Sequence, residues 1–225
     1  ALPATASYMA AEAQWQLMTI FAAAMGASEL AAWSVLGTVW GMAESITSGS
    51  GKAVCLRIGV HLGGNSPKLA QQACRRGVAV SMVGGALVFG GLLILGGEGV
   101  SVAFAADAAM QQAIVEALPL QAFGILLMSG GTVCWWALDG QGRVALSGAI
   151  AAIGGWVLNV PLAAVAVYAL GWGIRGLVGS IVVAYTVMCA FSTGFLLRSD
   201  WVAFAQTALE RAEAEEDTPH SLAEE

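Results

Sequence analysis

Charged residues are scarce in this sequence. Asp, Glu, Lys and Arg make up 11% of its 225 residues and 58% are hydrophobic, so the mean hydropathy is +0.75. A soluble domain carries about 25% charged residues. Charge is absent from four long runs, 77–97, 117–138, 144–174 and 176–197. Each run reaches the ~20 residues that an α-helix needs to cross the hydrocarbon core of a bilayer. The composition therefore excludes an ordinary soluble domain and indicates a membrane protein.

Cysteine and histidine are scarce too. The four cysteines are scattered without a C-x-x-C spacing, and both histidines, His61 and His220, lie outside the apolar segments. Neither a disulfide framework nor a zinc site is indicated, and a serine hydrolase would lack its base. We expect the cysteines to be small packing residues. We expect no cofactor, no metal site, no enzymatic activity and, without a basic stripe, no nucleic-acid partner.

Two further apolar segments precede the charge-free runs, and each contains one glutamate. The six segments predict an all-α, polytopic membrane protein, with a six-helix transmembrane part over 1–199 and a cytoplasmic amphipathic and acidic tail over 200–225. The predicted helices span about 4–25, 30–50, 77–97, 117–138, 144–170 and 175–197. The 29 glycines suit such helices, because small residues let helix backbones approach closely in lipid. Because the sequence begins at Ala1 without a Met, we expect it to be a piece of a longer protein.

Basic residues predict the orientation. The loops after the second and fourth segments, and the stretch after the sixth, contain Arg57, Lys68, Arg75, Arg76, Arg143 and Arg198. The alternate loops contain Glu29, Glu98, Asp107 and Arg175. Because cytoplasmic loops are enriched in Lys and Arg, the first set is expected to face the cytoplasm, together with the C-terminus.

The two intramembrane glutamates, Glu12 and Glu44, are the candidates for a functional site, because a carboxylate at membrane depth is costly unless it faces protein or water. Tyr8, Glu12, Trp15 and Gln16 share one helical face, which favours a cavity lining. The alternative is a glutamate held by a structural hydrogen bond between helices.

In the second segment, Trp40, Glu44 and Ser48 share a face, and Trp40 is a further candidate for the cavity wall. The alternative is that Glu44 pairs with Lys52, so we rank Glu44 below Glu12. A carboxylate in a low dielectric takes up a proton more readily. It attracts a cation when ionised and releases it when protonated, and aromatic neighbours add cation–π attraction.

The fifth segment contains a helix breaker. Pro161 removes one helical hydrogen bond, so a kink is expected. Asn159 lies close to it, and is a candidate both for satisfying the freed backbone groups and for lining the cavity.

Several short motifs resemble one transporter family in order and spacing. They are Gly26-x-x-Glu29-Leu30-x-Ala32-x-Ser34, Arg57-Ile58-Gly59-x-x-Leu62-Gly63, Pro67-x-x-Ala70, Gly140-x-Gly142-Arg143-Val144 with Pro161, and Leu197-Arg198-Ser199-Asp200-Trp201. Together with the opening Ala1-Leu2-Pro3, they resemble the second six-helix lobe of the multidrug and toxic compound extrusion (MATE) transporters. The resemblance covers essentially the whole chain.

The resemblance implies one lobe of a two-lobed, twelve-helix transporter that exports small, mostly cationic organic substrates in exchange for protons or sodium. The expected partners are the lipid bilayer, the substrate and the missing N-terminal lobe, and the expected location is a plasma or vacuolar-type membrane. The acidic positions of eukaryotic members match Ala11, Thr38 and Met128 here, so their carboxylates do not carry over. Two alternatives stay open: a truncated or non-transporting MATE-like protein, and a related lipid flippase-type transporter.

Overall fold

The computed structural model describes the backbone of residues 2–104 and 107–216, and the side chains of residue 9, residues 13–104 and residues 107–211. Six long helices and a shorter seventh make up this part of the chain. They are α1 (Leu2–Met25), α2 (Ala27–Gly63), α3 (Pro67–Phe104), α4 (Ala108–Gly140), α5 (Val144–Ala169), α6 (Gly173–Leu197) and α7 (Trp201–Glu216). No strand occurs among the described residues, and the all-α fold class is confirmed.

Within the described residues, four helices, α3 to α6, are long and apolar enough to cross a membrane. α2 carries Glu29, Glu44, Lys52 and Arg57 along its length. The helices run past the apolar segments of the sequence: α2 continues to Gly63 and α3 begins at Pro67, with only a tight turn between them. The basic residues expected in a loop therefore lie on the ends of a helical hairpin. Helix suits these stretches because it satisfies the backbone hydrogen bonds within each segment.

α4 is the central helix and packs against α2, α3 and α6. Two interhelical hydrogen bonds fix it: Gln121 Nε2 donates to the Leu36 carbonyl at 2.6 Å, and Ser81 Oγ donates to the Ser129 carbonyl at 2.6 Å. Glycine permits the closest approach, since an added Cβ on Gly140 would lie 2.7 Å from the Cys55 carbonyl oxygen. Small residues thus set how tightly α4 fits its neighbours.

α5 widens on both sides of its proline. Residues Ile153–Asn159 and Val165–Ala169 are π-helical, with Pro161 in the short α-helical turn between them. The Val160 N–H donates to the Gly155 carbonyl, five residues back. Such turns are rare and often lie at functional sites. They lie on either side of the position where the proline, which has no N–H, removes one helical hydrogen bond.

α7 packs beneath the α2–α3 hairpin. Its Ala205 is fully buried in a core cluster with Ile58 of α2 and Cys74 of α3, and Trp201 and Phe204 pack against the same cluster. The apolar face predicted after the sixth helix therefore contacts the lobe itself. The acidic residues beyond 216 lie outside the described part of the chain.

Candidate functional site

A cavity of about 280 Å³ lies between α1, α2, α4, α5 and α6. Polar and aromatic side chains share its wall with small residues. The polar and aromatic lining residues include Gln14, Glu44, Ser48, Trp135, Trp136, Asn159, Tyr185 and Ser192. A mainly apolar and aromatic cavity with a few polar groups in its wall is the arrangement expected of a ligand site.

Glu44 is the one carboxylate among the described residues that line the cavity. Its side chain is exposed. The only salt bridge within the described part of the chain joins Arg175 Nε to Glu116 Oε2 at 3.2 Å. No salt bridge joins Glu44 to Lys52 among the described residues, although the charge of Lys52 still acts on the carboxylate. The carboxylate is available to a cation that enters the cavity.

The aromatic part of the wall comes from α4, α5 and α6, and α5 contributes Trp156. The rings of Trp135 and Trp136 meet edge to face at 5.1 Å between centroids, and the ring of Tyr185 meets that of Trp40 at 5.2 Å. Lys52 Nζ lies 5.5 Å from the centroid of the Trp136 ring. Ring faces attract cations. The aromatic wall and the carboxylate of Glu44 therefore favour the same kind of ligand, a cation.

Two buried polar side chains of the wall have no hydrogen-bond partner among the described residues. Asn159 is 1% exposed with both amide atoms unpaired, and Ser192 is fully buried with its hydroxyl unpaired. Asn159 therefore does not satisfy backbone groups freed by Pro161, as the sequence suggested it could. Because a buried polar group without a partner is costly, both side chains are suited to bind water or a polar ligand in the cavity.

The other predicted site residues divide into three groups. Trp15 and Trp40 lie away from the main cavity, beside a second pocket of about 10 Å³, where Trp15 stacks on Trp33 at 5.0 Å. Gln16 is exposed and is not among the lining residues. The side chains of Tyr8 and Glu12 lie outside the described residues.

Sequence reasoning missed Gln14, which lines the cavity from α1. It is two residues from Gln16, a rotation of about 200° on a helix. The only available signal was a polar residue in an apolar helix, and that signal does not distinguish Gln14 from Gln16. Of the positions that match acidic residues in the family, Thr38 is exposed and donates to the Ser34 carbonyl at 2.9 Å, and Met128 is buried in the core. Neither lines the cavity.

The sequence and the fold were compared with known proteins. A MatE family model matches residues 3–165. An uncharacterized transporter of Schizosaccharomyces pombe is 26% identical over 187 residues, which cover 83% of this chain and 34% of that protein. Multidrug and toxin extrusion protein 2 of Oryctolagus cuniculus is 25% identical over 189 residues, covering 84% and 31%. The chain thus spans about a third of the length of these relatives.

The fold also matches a solved structure. A crystal structure of MATE in the straight conformation superposes with a TM-score of 0.79 over 86% of this chain and 43% of that chain, at 18% identity. At this identity the likeness shows the fold alone.

Proposed function

Because the chain belongs to the MatE family of integral membrane transporters, we propose that it is the C-terminal six-helix lobe of a secondary antiporter. The complete protein exports small organic cations in exchange for protons or sodium. The observation that carries the proposal is the cavity, in which Glu44 faces an aromatic wall. A carboxylate with cation–π neighbours suits an organic cation, and its protonation gives a way to release that cation.

The proposal extends to the orientation. The turn between α2 and α3 and the chain after α6 face the cytoplasm, because Lys and Arg concentrate there. Arg175, on the opposite side, is the exception in the sequence, but it is paired with Glu116 at 3.2 Å. The pair adds no net positive charge to the outer side. This ion pair therefore supports the assignment that the sequence alone left with one contrary residue.

The proposal also includes a partner. The chain spans 43% of the MATE structure that it resembles. Glu44 is exposed although it lines a cavity. Since an intramembrane carboxylate normally faces protein or a water-filled space, the exposed side of Glu44 is covered by a second six-helix lobe or by the aqueous path between the two lobes.

Transport by the complete protein, reconstituted in vesicles, tests the role of the carboxylate. Glu44→Gln keeps the shape and hydrogen bonding of the side chain but cannot change charge. We expect export of an organic cation to slow by about tenfold or more, the effect of losing one charge-assisted contact. The rate should also lose its dependence on pH between about pH 6 and about pH 8.

Two further variants make the result specific. Glu98→Gln removes an equal charge from an exposed position on α3 outside the cavity, and it should leave transport unchanged. Glu12→Gln tests the other intramembrane glutamate. Wild-type rate and pH dependence in Glu44→Gln, together with their loss in Glu12→Gln, would move the coupling group to α1 and refute the role of Glu44.

A further inference from the structure

Lys52 is a cation held at the aromatic wall of the cavity. Its Nζ lies 5.5 Å from the centroid of the Trp136 ring, and Trp136 lines the cavity. Glu44 and Ser48, which also line it, precede Lys52 by eight and four residues on α2. Residues four apart lie on one helical face. Lys52 therefore continues the row of lining residues by one turn and stands at the end of the cavity nearest the α2–α3 turn.

The contact between α2 and Trp136 is close and well defined. Gly51 faces the ring so closely that an added Cβ would lie 2.8 Å from the Trp136 Cγ. The indole is thus wedged against the α2 backbone, beside the residue that carries the ammonium group. Lys52 Nζ lies over this ring, and the Nε1 of Trp136 is buried without a partner among the described residues.

A salt bridge with Glu44 does not account for this position. An ion pair would neutralise Glu44, but the described part of the chain contains no such pair. Instead the ammonium occupies the ring face that would attract a ligand cation by the same quadrupole. Two cations cannot both take that place without repulsion.

We propose that Lys52 is a specificity-determining residue that competes with cationic ligands for the Trp136 ring. An organic cation must displace the lysine ammonium before it can contact Trp136, whereas a neutral ligand of the same shape meets no like charge. The inference rests on the proposed function, since it takes the cavity to be the site where cations bind. Lys52 thereby lowers the affinity for cations, relative to neutral ligands, at the end of the cavity nearest the α2–α3 turn.

Equilibrium binding to the complete transporter in detergent tests this inference. The two probes are N-methylquinolinium and quinoline, which share a ring system and differ in charge at neutral pH. Lys52→Gln should bind N-methylquinolinium about two- to fivefold more tightly than wild type, the factor expected for one cation–π contact regained at an accessible site. Quinoline affinity should not change. Lys52→Arg, which keeps a cation over the ring, should behave like wild type.

Two controls separate competition at the ring from general charge effects. Arg57→Gln removes an exposed positive charge from the same helix and should leave both affinities unchanged. In Lys52→Gln combined with Trp136→Leu, the gain for the cation should vanish, because the ring that both cations need is gone.

Two results for the variants would overturn the inference. Equal gains in Lys52→Gln and Arg57→Gln would mean that only surface charge acts. Unchanged affinity in Lys52→Gln would mean that Lys52 merely extends toward the membrane surface. A protein that binds N-methylquinolinium with the predicted pattern but does not transport it would refute the proposed function and leave this inference standing, whereas no binding in any variant would refute both.

Discussion

Replacement of Gly85 by alanine should destabilise the lobe through its closest helix contact. Gly85 is buried on α3 against Ser129 of α4, and a Cβ built on it would overlap the serine side chain, 2.5 Å from the Ser129 Cβ. Rotation of the hydroxyl cannot relieve this contact, because the Cβ itself is too near. α3 and α4 must separate by about 1 Å to reach ordinary carbon–carbon contact. The separation also stretches the 2.6 Å hydrogen bond from Ser81 Oγ to the Ser129 carbonyl.

The expected cost follows from these two effects. Overpacking in a tight core costs about 1–3 kcal/mol, and an interhelical hydrogen bond in a membrane protein contributes about 0.6 kcal/mol. We expect Gly85→Ala to lower the free energy of unfolding by roughly 1.5–3.5 kcal/mol. Denaturation of the purified protein in mixed micelles, followed by tryptophan fluorescence, measures this change.

A glycine on the same helix supplies the control. Gly90 has open space where its Cβ would be, with nothing within 4 Å. Gly90→Ala should therefore be neutral or stabilise by up to about 1 kcal/mol through helix propensity. Adding Ser129→Gly to Gly85→Ala should recover part of the loss. Equal stability of Gly85→Ala and Gly90→Ala would show that α3 and α4 are not packed as described, and the reasoning would fail.

Three further predictions concern topology, the α4–α5 turn and the partner lobe. A cysteine introduced at Asn65 should react with an impermeant thiol reagent only from the cytoplasmic side, and one at Glu98 only from outside; labelling of Asn65 from outside would reverse the orientation. Arg143 lies between the rings of Phe195 and Phe204, at 5.6 and 5.5 Å, so Arg143→Ala should lower the free energy of unfolding by about 1–2 kcal/mol, measured as a lower Tm, while Arg143→Lys should keep about half of it. This chain reconstituted alone should transport no organic cation, and co-expression with the other lobe should restore transport; robust transport by the chain alone as a monomer would contradict the two-lobe proposal.

The sequence by itself determined the all-α membrane architecture. A backbone in lipid must satisfy its hydrogen bonds within each segment, so charge-free runs such as 117–138 and 176–197 have one structural outcome, and the structure places α4 and α6 there. The sequence also singled out Glu44, because a carboxylate in an apolar helix is conspicuous whatever surrounds it.

The helical geometry of α5 around Pro161 was only partly predictable from the sequence. The proline predicted an irregular helix, since the missing N–H is a property of the residue itself. Two π-helical turns are the form that the irregularity takes, with Asn159 at the end of the first. Which form appears depends on packing against α6: a Cβ on Gly154 would overlap the Met188 side chain, so α5 must fit that close contact.

Only the tertiary structure decided which side chains meet in the cavity. The helices are apolar nearly all round, so no amphipathic stripe marks the face that turns inward. Sequence reasoning therefore selected Gln16 and Trp40, whereas the structure turns Gln14 into the cavity and buries Trp40 against Tyr185. A shift of one residue rotates a side chain by about 100°, and only contacts with other helices fix that rotation.

The sequence also left open which group Lys52 contacts, and the tertiary structure decided it. Eight residues, or about 12 Å of helical rise, separate Lys52 from Glu44, so a direct ion pair between the two would have required α2 to unwind. Its actual neighbour, the Trp136 ring, comes from α4, 84 residues later in the sequence. The sequence supplied the cation, and the close approach of α2 to α4 at Gly51 determined which group it contacts.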